Sequence, residues 1–224
     1  MASNNPSNPS VKEQREAKRA AKVAILKKQQ AKEKRNRRIG IVAASVGAVA
    51  VVALIISFVV VNAVPEVSRD DIAITDLETF EGVPAVHVAT AVDYETDYNM
   101  NPPAGGNHNQ AWLNCGVYTE PQQNENAVHS LEHGAVWVTY DPDALSDDEI
   151  ATLRDSIPST YMLLTPYPDL PAPVVASAWA NQVQLDGVDD PRLGEFIEKF
   201  RQSPDAPEPG AACTGAIDGP GKIA

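Results

Sequence analysis

IGIVAASVGAVAVVALIISFVVVNAV, residues Ile39–Val64, runs for 26 residues without an ionisable group. About 20 apolar residues, each rising about 1.5 Å, carry a helix across a hydrocarbon layer of about 30 Å. A single segment crossing that layer must satisfy its own backbone groups, which a helix does. The stretch therefore predicts one transmembrane helix over 39–64. It parts the chain into an arm, 1–38, and a domain, 65–224.

Charge is distributed about this stretch with opposite sign. The arm holds twelve Lys and Arg against three Glu, a net +9. Residues 65–224 hold six basic residues against 27 acidic ones, a net −21, so the whole chain carries −12. A basic flank stays on the cytoplasmic side of a first helix. The arm is thus expected in the cytoplasm and the acidic domain outside. Val61-Asn62-Ala63 loosely resembles a cleavage site, but a secretory apolar region runs about 7–15 residues, so the reading is an uncleaved signal anchor. The expected partners are the lipid bilayer and a second membrane protein. The arm lacks the interleaved aromatics of a nucleic-acid binder, and no nucleic acid is expected.

Residues 1–10, MASNNPSNPS, read as disordered. From Val11 the arm is built of Ala, Lys, Glu, Gln and Arg, all good helix formers, so it should be partly helical or disordered. In the domain, Gly134–Tyr140 (GAVWVTY), Tyr161–Thr165, Pro173–Trp179 and Gln182–Leu185 read as strands. Ser146 and Glu149 form a capping box before IATLRDSI. Asp190-Pro191 places an N-cap and a first-turn proline before RLGEFIEKFRQ. Strands and helices without a regular alternation predict an α+β fold, with a small mixed sheet and two or three helices. From about Ser203 the chain is rich in Pro and Gly and is expected to be an irregular tail.

Cys115 and Cys213 both lie beyond the apolar stretch. Outside the cytoplasm thiols oxidise, so a disulfide is expected. It would close a loop of roughly 100 residues, for which the chain-entropy model assigns about 4.7 kcal/mol. The alternative is that one or both ligate a metal.

All four histidines, His87, His108, His129 and His133, fall within 47 residues of the domain. On a helix, His129 and His133 would share a face, and two neutral imidazoles there can hold zinc or copper. His129-Ser130-Leu131-Glu132-His133 also has the H-x-x-E-H form, in which Glu132 would be the base of a zinc hydrolase. Gly134 stops the helix at His133, which weighs against that enzyme. A third reading has the rings bonded to Glu132, backbone carbonyls and tyrosines, fixing loop geometry. Thioether capture of copper(I) is disfavoured, since only Met100 and Met162 lie in the domain. His108 ends Asn-Pro-Pro-Ala-Gly-Gly-Asn-His, a turn by composition. No phosphate-binding, dinucleotide or nucleophile-elbow motif is present.

Together, His87-Val88-Ala89, Asn101–His108 (NPPAGGNH), Gly116-Val117-Tyr118 and Val128–Pro142 (VHSLEHGAVWVTYDP) resemble a bacterial family of membrane-anchored proteins with a domain of unknown function. The resemblance spans about residues 66–202. His87, His108, His129, Glu132 and His133 fall on its pattern, and Gly105-Gly106 stand where serine-glycine is usual. The resemblance implies one anchored exported domain and no established activity. The two cysteines lie outside its pattern.

The functional expectation is an anchored accessory or binding domain with a histidine constellation able to take a metal ion. A zinc hydrolase and a ligand-free assembly factor are the alternatives.

Overall fold

The structure, a computed structural model, describes residues 11–62 and 68–223. The reading of residues 1–10 falls outside the described residues, as does the stretch just after Asn62. The chain divides into two compact units, Met1–Glu66 and Val67–Ala224.

The first unit is one helix, α1, Val11–Asn62. Helix-forming arm residues and the apolar stretch continue into each other without a Pro or a cap. Val49 and Leu54 of α1 are 68% and 70% exposed. Lys22–Leu54 is long and apolar enough to cross a membrane, a form that an N-terminal signal sequence shares.

The second unit is α+β. Its strands are β1 Glu78–Thr79, β2 Gly116–Tyr118, β3 Val136–Tyr140, β4 Met162–Pro166, β5 Val174–Ala178, β6 Asn181–Leu185 and β7 Lys222–Ile223. They form one mixed sheet in the order β1-β6-β5-β3-β4-β2-β7. The helices are α2 Tyr94–Tyr98, α3 Asn124–Glu132, α4 Asp147–Ser156 and α5 Arg192–Phe200.

β3 sits at the centre, parallel to β4 and antiparallel to β5. All five of its residues are buried, which is why it reads as a nearly continuous apolar run. Successive side chains leave opposite faces. Val136, Val138 and Tyr140 join a core with Leu153 of α4 and Leu193, Phe196 and Ile197 of α5. Trp137 joins a second core with Ala127 and Leu131 of α3. Helices thus cover both faces, with α3 on the Trp137 side. Burying a side chain such as Phe196 contributes about 1.5–3 kcal/mol.

The capping box forms: Glu149 N donates to Ser146 Oγ at 3.4 Å, and Ser146 N to Glu149 Oε2 at 2.8 Å. α5 begins one residue later than its proline suggests, and Asp190 accepts from Arg192 N at 3.0 Å.

The tail from Ser203 is not wholly irregular. Its end, β7, pairs antiparallel with β2, and Ile217 forms a bridge with Leu113. Asn114 N and Thr119 N donate to the carbonyls of Ile217 and Gly221. Those bonds use backbone groups, so side-chain periodicity carries no trace of them. The sulfurs of Cys115 and Cys213 stand at bonding distance, with Cα atoms 5.4 Å apart.

Candidate metal centre

Three chain segments meet on the α3 side of the sheet. The first two are paired strands in miniature: Val88 N donates to His108 O at 2.7 Å, and His108 N to Val86 O at 3.0 Å. This bridge sets the His87 and His108 rings 4.8 Å apart, centroid to centroid. The third segment is the end of α3, which carries His129 and Glu132.

The turn before His108 is tightly built. Gly106 has φ +111°, and a Cβ there would lie 2.7 Å from Tyr98 Cε2. Tyr94 Oη donates to Asn107 O at 2.8 Å, and burial pushes the Tyr94 phenol pKa upward. Gly106 O then accepts from His108 Nδ1 at 2.7 Å.

α3 is held by polar side chains as well as by Leu131. Asn126 Nδ2 donates to Ala111 O at 2.5 Å, and Ser130 Oγ to Leu113 O at 2.6 Å. His129 Nδ1 donates to Asn109 O at 2.7 Å. A carbonyl only accepts, so Nδ1 of each ring carries a proton, and in the neutral ring the lone pair is on Nε2. Burial pushes the His129 pKa down to about 4, against the pull of the Asn109 carbonyl; the rings of His133, His108 and His87 add to the drop. At neutral pH that ring is therefore an uncharged donor of one lone pair.

Glu132 Oε2 lies at the focus. It is 2.9 Å from His108 Nε2, 3.6 Å from His87 Nε2 and 3.8 Å from His129 Nε2. Two ligands of a tetrahedral zinc, each about 2.0–2.1 Å from the ion, stand about 3.3 Å apart. The observed separations bracket that value. The four ligand atoms all lie within 4.8 Å of one another. His108 is fully buried, His129 and Glu132 are nearly so, and the His87 side chain is 43% exposed. Trp179 packs edge-on against His108, and Trp112 packs against both His129 and His133, an apolar wall behind the polar atoms. Rings oriented by carbonyls on the far nitrogen are the usual support of a metal site.

The chain belongs to the family described as Protein of unknown function (DUF3105). Its model matches residues 87–215, which include all four histidines, Glu132 and both cysteines. No curated protein and no solved structure matches the chain.

The helical spacing of His129 and His133 anticipates one shared ion. The structure gathers His87, His108 and His129 about Glu132, while His133 faces Glu208, with Nε2 3.4 Å from its carboxylate. Glu132 lies among the ligand atoms. Glu208 was not legible in the sequence. It sits in the tail, 75 residues beyond His133, and its position depends on the backbone bond from Glu208 N to Glu132 O at 3.0 Å.

Proposed function

We propose that this chain is a single-pass membrane protein whose domain, residues 65–224, binds one divalent transition-metal ion through His87, His108, His129 and Glu132. The observation that carries the reading is the convergence of three imidazole Nε2 atoms on one buried carboxylate oxygen. Three nitrogens and one oxygen suit zinc, and copper(II) is the competing ion of the same class. With Glu132 as fourth ligand the tetrahedral set is closed, the form of a holding site. The arm, 1–38, lies in the cytoplasm, 39–64 spans the bilayer, and the domain works on the outer side. Support for this orientation comes from the +9 arm beside an uncharged stretch. An ectodomain of net −21 attracts cations and basic partners, so docking to another membrane protein follows the same electrostatics.

Two measurements test the reading. Full-length protein in detergent, stripped by chelator and titrated with zinc and copper(II), binds one equivalent, and Glu132→Gln weakens that binding by at least about 100-fold. Protease added to intact cells removes the domain and spares the arm. No bound ion at micromolar metal overturns the site, and a protected domain overturns the orientation.

A further inference from the structure

Ligand atoms continue past the four around Glu132. His129, His133 and Glu208 form a second group whose ligand atoms also lie within 4.8 Å of one another. His133 Nδ1 donates to Ala212 O at 2.7 Å, so in the neutral ring the lone pair is on Nε2. That Nε2 lies 3.4 Å from Glu208 Oε2. The His133 side chain is 4% exposed and that of Glu208 is 52% exposed. The polar atoms thus form a row that opens to solvent at Glu208, passes His133 and His129, and ends in the inner set.

We propose that His129, His133 and Glu208 are an outer cation position, which captures a divalent transition ion from solvent and hands it inward through His129. This rests on the reading of the inner set as a metal site. His129 is the pivot. Its Nδ1 is committed to Asn109 O, so Nε2 is its one donor. One lone pair serves one ion, so the two positions fill alternately and the chain holds one ion at rest. The hand-over exchanges Glu208 and His133 for Glu132, His108 and His87 while the His129 bond is kept. No electron is transferred, and the protein's ligand protons stay on Nδ1. The inner set wins at equilibrium because it offers three imidazoles and a buried carboxylate, against two imidazoles and an exposed one. The outer position is held over α3 by the tail: Glu208 N bonds to Glu132 O, and Ala212, which orients His133, adjoins Cys213.

The test is stopped-flow loading of metal-free, full-length protein in detergent with cobalt(II), read by its visible absorption, alongside equilibrium titration. Glu208 is exposed, so Glu208→Gln keeps the fold. The expected result is one ion per chain and an affinity within about threefold of the parent. Loading slows roughly tenfold, the lower end of the gain from a charged entrance, and its salt dependence weakens. Release slows by a matching factor, because the affinity is kept. Two ions per parent chain overturn the proposal. An affinity loss in Glu208→Gln equal to that in Glu132→Gln overturns it too, as does loading at the parent rate, which would place entry at exposed His87. A parent chain that binds no ion at equilibrium instead overturns the inner site, and this proposal with it.

Discussion

Glu132 Oε2 stands 2.9 Å from His108 Nε2, although the Nδ1 proton of His108 is committed to the Gly106 carbonyl at 2.7 Å. A neutral ring and an ionised carboxylate would face each other with lone pairs alone. A proton or a cation between the two atoms resolves the contact. His87 and His129 approach the same oxygen from other sides, and one cation satisfies all four groups at once.

Glu132→Gln keeps the size of the side chain and removes its charge. Zinc affinity is expected to fall by at least about 100-fold, since even partners outside the ligand shell cost about 10–100-fold. Competition with a chromophoric chelator measures it. His129→Gln should fall as far; an unaltered affinity in either variant would remove that residue from the site.

Metal binding should raise the melting temperature, because the unfolded chain lacks the assembled site. At free metal 100 times the dissociation constant the gain is about 2.7 kcal/mol. In a domain of this size that moves the midpoint by roughly 5–10 °C. Excess chelator should reverse the shift, and thermal denaturation with and without zinc checks it.

Gly106→Ala should destabilise the domain by more than about 1 kcal/mol, since its φ of +111° is unfavourable for alanine and the added Cβ meets Tyr98. It should also weaken metal binding, because Gly106 O orients His108. Gly194→Ala is the control. Nothing lies within 4 Å of that Cβ, and the site is inside α5. Alanine there should stabilise by about 0.5–1 kcal/mol. Urea denaturation of both variants distinguishes the two effects.

Asp190 governs acid stability at the start of α5. Hydrogen bonds from the Arg192 guanidinium hold its carboxyl down to about 2, with the Asp186 and Arg192 backbone amides adding. A folded-state value below the unfolded one stabilises the domain above about pH 4. That contribution is lost as pH falls through 4 towards 2. Asp190→Asn should flatten this part of the pH profile, as measured by denaturation at pH 5, 3 and 2.

Removing the Cys115–Cys213 link, by reduction or by Cys213→Ser, should cost up to about 4.7 kcal/mol from the loop it closes. The segment carrying Glu208 and Ala212 should become protease-sensitive. Proteolysis of oxidised and reduced protein, compared on a gel, checks this.

Much of the second unit was legible in its strands. β3, β4 and β5 announce themselves because both faces are buried and apolar residues dominate each run. α4 announces itself through its capping box, a local exchange of two hydrogen bonds. The two-residue strands β1 and β7 are too short to show a period, and α2 is one turn closed by Asp93 accepting from Thr96 N. At the site, the histidines were legible as residue types, and His129 with Glu132 as helix neighbours. Their partners were not, because His87 and His108 reach α3 through a two-residue backbone bridge.

By itself the sequence determined the elements governed by neighbours along the chain: an uncharged helix beside a basic arm, central strands, capped helices and a cluster of imidazoles. Only the tertiary structure decided which imidazoles face the same oxygen, that Glu132 supplies that oxygen, and that Glu208 reaches His133. Local hydrogen bonding and hydrophobic period act over a few residues. The focus of the site joins His87 and Glu132, 45 positions apart, and Glu208, a further 76 positions on, stands beside His133; these meetings depend on the packing of α3, the turn at Gly106 and the tail fastened at Cys213.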